Sequence, residues 1–106
     1  MTNEEKRRHP RYPCIVVVQY VSDSPLIKAR LLDISRGGIF VDTVNPLPEG
    51  AVVKFRFSLP GDAADTPIVG EGKVAWHQHT VGMGIEFLKM SGMDSGRLAA
   101  FLQGRG

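Results

Sequence analysis

Apolar and polar residues alternate along several short segments of this chain. From residue 53 to residue 59 every second residue is apolar, beginning with Val53 and ending with Leu59, and the residues between them are Lys, Arg and Ser. A period of two places the apolar side chains on one face of a β-strand and the polar ones on the other. Residues 27–32 alternate in the same way, with Lys and Arg on one face and Ala and Leu on the other. Both patterns predict strands that are buried on one face.

Turn-forming residues divide the chain into six such segments, because clusters of Gly, Pro, Asn, Asp and Ser separate them. The predicted strands cover residues 14–21, 27–32, 39–43, 53–59, 68–79 and 81–87. The strand phase assigns Val74, Trp76, Phe55, Phe57 and Phe87 to the core. Six antiparallel strands can close a small barrel and leave no open edge. We therefore predict a mainly β fold, a six-stranded antiparallel β-barrel.

The hydrophobic period changes near the carboxyl end. Leu98, Phe101 and Leu102 recur at positions i, i+3 and i+4, which predicts one apolar face of a short helix. Ser91 or Asp94 could cap its amino end. We expect this C-terminal helix to cover one mouth of the barrel.

The first 13 residues differ from the rest of the chain. They are polar and contain Pro10 and Pro13, so they predict an extended, flexible arm, and residues 14–106 then form the barrel domain with its helix. The formal net charge is +2, and all of this excess lies in residues 1–12. Concentrated positive charge favours an anionic partner that the amino-terminal end contacts.

Composition narrows the class of protein. A chain of 106 residues with 42% hydrophobic and 23% charged residues is long enough for one folded domain with one core. Cys14 is the only cysteine, which excludes an intramolecular disulfide and fits a reducing, cytoplasmic location. No apolar stretch approaches the roughly 20 residues that a membrane-spanning helix needs, so we expect no membrane insertion.

Arginines dominate the end of the predicted arm. Arg7, Arg8 and Arg11 lie within five residues. The guanidinium group is planar, bonds phosphate through two parallel N–H donors, stacks on bases and matches the N7 and O6 acceptors of guanine. One residue type can therefore bind both the phosphate and the base of a nucleotide.

A second polar cluster follows the predicted second strand, in the sequence Asp-Ile-Ser-Arg-Gly-Gly. Asp33 offers only acceptors and suits the adjacent N1–H and N2 donors of guanine, which adenine lacks. Ser35 can contact a ligand or bond its own turn, and Gly37 and Gly38 permit positive φ and let a ligand approach the main chain. Arg36 could add a stacking or phosphate contact, as Arg8 could in the arm.

Together these clusters resemble the PilZ domain family of bacterial cyclic di-GMP receptors. The family pattern is Arg-x-x-x-Arg, followed by Asp or Asn-x-Ser-x-x-Gly. Here Arg7 and Arg11 match the first motif, and Asp33, Ser35 and Gly38 match the second. Residues 72–76 and 84–87 also resemble the last two barrel strands of that family.

The resemblance implies a PilZ-type barrel whose arm folds over the ligand. It implies that the arginines contact phosphate and guanine, and that Asp33 and Ser35 contact a base. The expected ligand is cyclic di-GMP, no cofactor is needed, and a change in the arm is expected to relay the signal to a downstream protein partner.

Other functions find less support. No motif for phosphate-cradling loops, nucleophile elbows or zinc peptidases occurs, so we do not expect an enzyme. His77 and His79 lack the additional ligands of a recognisable zinc site, and we expect no metal. A single-stranded nucleic-acid-binding barrel remains an alternative, but residues 13–106 carry no net positive charge. A protein-interaction adaptor that binds no nucleotide is the other alternative.

Overall fold

Six antiparallel strands form a closed barrel in the computed structural model, which describes residues 10–23, 25–61 and 66–104. The strand order around the barrel is β1-β2-β3-β6-β5-β4, and β4 pairs with β1 to close it. The strands are β1 Tyr12–Val21, β2 Ile27–Ile34, β3 Gly38–Asp42, β4 Val52–Phe57, β5 Ile68–Gln78 and β6 Gly82–Met90, followed by the helix α1 Gly92–Gln103. The predicted fold class is confirmed.

The interior of the barrel is apolar and takes residues from every strand. Along β4, Val53, Phe55 and Phe57 are buried and the residues between them are exposed, as the alternation predicts. Phe87 is partly buried and packs against Phe55 with ring centroids 5.3 Å apart. Burial of these large side chains contributes most of the stability, at roughly 1.5 to 3 kcal/mol each. The core is one continuous cluster that also includes residues of α1.

Several strands are longer than the sequence predicts. β1 begins at Tyr12 rather than at residue 14, because Tyr12 and Pro13 pair with Ile34 and Asp33 of β2. For the same reason β2 continues to Ile34, and Asp33 lies within a strand. β6 continues to Met90, paired with β5. The position at which a strand ends depends on the neighbouring strand that pairs with it, and the local residue types do not reveal this pairing.

The prediction for Trp76 is wrong. Val74 is buried at 1% exposure, but Trp76 is 36% exposed. The pairing of β5 with β6 shifts between these two residues, since Val74 faces Ile85 and Trp76 faces Gly84, the next residue of β6. A β-bulge of this kind adds one residue to one strand and reverses the faces beyond it. Trp76 therefore lies on the outer surface.

The predicted C-terminal helix is present and packs against the barrel. Ser91 is its N-cap, and the Ser91 hydroxyl accepts a hydrogen bond of 3.0 Å from the backbone N–H of Asp94. Leu98 and Leu102 are buried in the barrel core. Asp94 also accepts a 3.1 Å hydrogen bond from the backbone N–H of Val69, which joins the helix to β5. Over the described ranges, no helix is both long enough and apolar enough to cross a membrane.

Candidate functional site

The structure brings together Arg11 and Asp33, which are 22 residues apart in the sequence. Arg11 immediately precedes β1, and the pairing of Pro13 with Asp33 places it beside the end of β2. Its Nη1 donates a 2.7 Å hydrogen bond to Oδ1 of Asp33, and both side chains remain partly exposed, at 41% and 30%. The pair is thus an ion pair that a ligand in solvent can reach.

A β-bulge directs the Asp33 side chain outward. Leu31 pairs with Val41 of β3, and Asp33 pairs with Phe40, so Leu32 is an extra residue on β2. Because of this extra residue Leu31 and Ile34 are both buried, although they are three positions apart. Asp33 consequently faces the outer surface, where its carboxylate is accessible.

Ser35 closes the turn that follows β2. It is 3% exposed, and its hydroxyl accepts hydrogen bonds from the backbone N–H groups of Gly37 and Gly38, at 3.1 and 3.2 Å. The hydroxyl also donates to the carbonyl of Gly38 at 3.3 Å, and the Ser35 N–H donates to the same carbonyl at 2.9 Å. A serine hydroxyl has one donor and two acceptor positions, and all are used here. Of the two roles expected for Ser35, the structure shows the bond to its own turn.

Neither Gly37 nor Gly38 has the positive φ that glycine permits. The need for glycine at position 38 is a close approach between backbones. A Cβ atom on Gly38 would lie 2.2 Å from the carbonyl oxygen of Ile85 in β6. The carbonyl of Gly37 accepts a 2.9 Å hydrogen bond from the N–H of Phe87. This turn is therefore held against β6 by packing and hydrogen bonding.

Of the remaining predicted site residues, Arg36 is the one that the structure describes, and no hydrogen bond or ion pair joins it to Asp33. Arg36 lies at the tip of the turn, is exposed, and lines a pocket with residues of β6 and α1. Arg7 and Arg8 fall outside the described residues, so their expected roles stay predictions.

Sequence reasoning missed an aromatic pair next to Asp33. Phe40, the direct partner of Asp33 on β3, stacks on Trp76 with ring centroids 5.4 Å apart and planes at 14°. Gly84 lies between them on β6, and a Cβ there would be 2.2 Å from Nε1 of Trp76. The indole of Trp76 therefore packs directly on the backbone of β6 at Gly84. The available signal was Gly82 and Gly84 at outward positions of β6, which leave room for rings on that face.

The outer face of β2, β3, β6 and β5 therefore presents three kinds of group side by side. Asp33 supplies hydrogen-bond acceptors, Arg11 supplies donors and positive charge, and the Phe40–Trp76 pair supplies a flat aromatic surface. Within the described part of the chain, no group of three or more His, Cys, Asp and Glu residues could hold a metal ion. This combination suits a planar, anionic ligand with donor groups on its edge.

Comparison with known families decides the classification. The sequence model of the PilZ domain family matches residues 5–104, nearly the whole chain. The chain belongs to the PilZ domain family. The resemblance drawn from the two motifs is confirmed, and both motifs lie within the matched range. A search of curated proteins found no significant match.

Solved structures contain the same barrel as this PilZ domain. Bacillus subtilis MotI/DgrA, an inhibitor of motility, superposes with a TM-score of 0.77 at 21% identity, over 94% of this chain and 50% of its own. Escherichia coli YcgR in complex with c-di-GMP superposes with a TM-score of 0.73 at 17% identity, over 93% of this chain and 45% of its own. The PilZ domain of CeSA from a cellulose-synthesizing bacterium superposes with a TM-score of 0.65 at 18% identity, over 89% of this chain and 95% of its own.

These likenesses concern the fold of the PilZ domain. The chain spans about half the length of MotI/DgrA and of YcgR.

Proposed function

We propose that this PilZ domain is a bacterial, cytoplasmic receptor for cyclic di-GMP, which binds on the outer face around Arg11 and Asp33. The contact between these two side chains carries the proposal, because it joins the two polar clusters at one accessible point. The YcgR structure in complex with c-di-GMP has the same barrel. No step of the proposal requires chemistry on the ligand, so the protein acts by binding.

Asp33 is the proposed guanine contact. Its carboxylate faces outward at 30% exposure and can accept two parallel hydrogen bonds. Guanine offers the N1–H and N2 donors at matching positions, and adenine does not. Hydrogen bonds that involve a charged group contribute roughly 1.5 to 3 kcal/mol each, which supports discrimination between guanine and adenine.

Arg11 is the residue that the ligand is expected to displace. One of its five N–H donors is bonded to Asp33. A guanine on Asp33 releases this guanidinium to bond phosphate or the N7 and O6 edge of the base. Because Arg11 directly precedes β1, its movement changes the path of the arm, and Arg7 and Arg8 then add phosphate contacts. A protein partner that senses this change would relay the signal.

Ser35 is a positioning residue in this proposal. Its hydroxyl has no unused hydrogen-bonding position as the turn stands, so its role is to hold the turn that follows Asp33. Phe40 and Trp76 provide a surface for the second face of the base or for the other guanine. Stacking of a base on an aromatic side chain contributes about 1 to 3 kcal/mol.

Calorimetric titration with cyclic di-GMP tests the proposal. We expect Asp33→Ala, Arg11→Ala and Arg7→Ala each to weaken binding at least about tenfold, which corresponds to roughly 1.4 kcal/mol. Thermal unfolding should change little, because a partly exposed ion pair contributes about 0 to 1 kcal/mol. Parallel titrations with cyclic di-AMP, GTP and a single-stranded oligonucleotide test the ligand class.

The chain offers a matched control on the same surface. Arg30 and Asp42 form an exposed cross-strand ion pair of 2.6 Å between β2 and β3. Arg30→Ala should leave cyclic di-GMP affinity unchanged. Wild-type affinity in all three site variants would overturn the proposal, as would tighter binding of the oligonucleotide than of cyclic di-GMP.

A further inference from the structure

A pocket lies beside the turn that contains Arg36. It has a volume of about 320 Å³ and is formed by the turn, the end of β6 and one face of α1. Its walls include Arg36, Lys89 and Ser95, with apolar surface from Leu88, Met90 and Ala99. The site around Arg11 and Asp33 does not include this pocket.

The pocket exists because β6 is longer than the strand beside it. β3 has five residues and β6 has nine. Their pairing ends at Gly38 and Glu86, and the last hydrogen bond joins the N–H of Phe87 to the carbonyl of Gly37. Beyond that point β6 has β5 on one side only, and α1 packs nearby. The gap on the β3 side is the pocket.

A β-bulge leaves two consecutive residues of β6 exposed beside this gap. Gly72 pairs with Phe87 and Glu71 pairs with Lys89, so Leu88 is the extra residue on β6. Leu88 is 50% exposed, as alternation from the inward Phe87 predicts, and the next residue, Lys89, is exposed as well. Bulges are frequent where a strand must direct a side chain toward a functional surface. Here the bulge changes the strand phase after Leu88, so that the apolar Leu88 and the cationic Lys89 are both exposed.

The cations of the pocket have no carboxylate partner within the described ranges. Neither Arg36 nor Lys89 forms an ion pair there. Glu71 is the cross-strand neighbour of Lys89, but no contact within 4.0 Å joins their charges. Asp94 of α1 is already bonded to Arg97 and to the N–H of Val69. The pocket therefore combines two cations that have no carboxylate partner there with the apolar residues Leu88, Met90 and Ala99.

We propose that this pocket is the docking site for an acidic, apolar segment of a partner protein. Charge complementarity supports this assignment, because Arg36 and Lys89 can form ion pairs with carboxylates of the segment. The surface of Leu88, Met90 and Ala99 can pack against one of its apolar side chains. Buried apolar anchors surrounded by polar contacts are the usual arrangement of a protein interface. The proposal does not depend on nucleotide binding. Arg36 belongs to the turn that follows Asp33. A nucleotide bound at Asp33 would therefore lie beside a segment docked in this pocket.

Selection from a displayed library of random 12-residue peptides tests this proposal. The bait is the full 106-residue chain without nucleotide. The library is first passed over an Arg36→Glu/Lys89→Glu variant, which removes peptides that bind elsewhere on the protein. We expect the recovered peptides to contain acidic residues next to Leu, Met or Phe. A synthetic peptide of the recovered sequence should bind at least about tenfold more weakly to Arg36→Glu or Lys89→Glu alone.

Lys28→Glu is the matched control, since Lys28 is exposed on β2 opposite Gln19 and outside the pocket. It should bind the peptide as the wild type does. Lys89→Glu should retain wild-type affinity for cyclic di-GMP and wild-type thermal unfolding, which separates this proposal from the nucleotide site. Recovery of no peptide, of peptides without acidic residues, or of peptides that bind all variants equally would overturn it. A single-stranded oligonucleotide that competes for the same pocket would also overturn it.

Discussion

Gly38→Ala tests whether the glycine of the second motif is required for packing. The Cβ of alanine would lie 2.2 Å from the carbonyl oxygen of Ile85, and 3.1 and 3.3 Å from two further backbone atoms of β6. Ordinary contacts of a Cβ are about 3.5 to 4.0 Å. Because backbone atoms of a central strand cannot rotate away, β3 and β6 must separate by about 1 Å or more.

The expected loss of stability follows from that separation. Overpacking of a close contact costs roughly 1 to 3 kcal/mol, and weakening of the neighbouring bond from Phe87 to Gly37 adds about 0.5 to 1.5 kcal/mol. A total of about 1.5 to 4.5 kcal/mol lowers the melting temperature of a domain of this size by roughly 6 to 36 °C. Gly38 does not have positive φ, so backbone strain is not an alternative cause.

Thermal and urea unfolding measure this effect, and Gly96→Ala is the matched control. Gly96 lies in α1, is exposed, and has no atom within 4 Å of an added Cβ. The same chemical change should stabilise the protein there by about 0.5 to 1 kcal/mol, because alanine favours the helix. Equal melting temperatures for Gly38→Ala and the wild type would refute the packing argument.

Three further predictions concern single residues. Tyr20 is buried at 1% exposure, and burial raises its pKa while a hydrogen bond with Thr43 opposes the rise. The folded state therefore favours the neutral phenol, and stability that is complete below the ordinary tyrosine pKa of about 10 is lost at higher pH. Urea unfolding between pH 8 and 11 should show this decline, and Tyr20→Phe should reduce it; equal slopes would contradict the argument. Thr80 has a φ of 65°, so Thr80→Gly should stabilise the protein by about 1 kcal/mol, and an unchanged urea midpoint would disprove this. Trp76→Ala should weaken cyclic di-GMP binding about five- to a hundredfold by titration if bases stack there, whereas Trp76→Phe should retain most of the affinity.

The candidate site was only partly predictable. The two motifs identified Arg11 and Asp33 as candidates, and the structure brings them within 2.7 Å. The aromatic pair was missed because the phase of Trp76 depends on a bulge. For Gly38 the motif identified the residue, but the close approach of β6 that requires glycine there was not predicted. The pocket beside Arg36 could not be predicted, since it arises from the different lengths of two paired strands.

The sequence by itself determined the number of strands, the closed barrel, the buried face of β4 and the capped helix. These follow from hydrophobic period and turn chemistry, which act over a few neighbouring residues. Only the tertiary structure decided where strands end, which face Trp76 takes, and how Arg11 meets Asp33. Each of these depends on the backbone of a strand that is distant in sequence, and a single extra residue in a pairing reverses the faces beyond it.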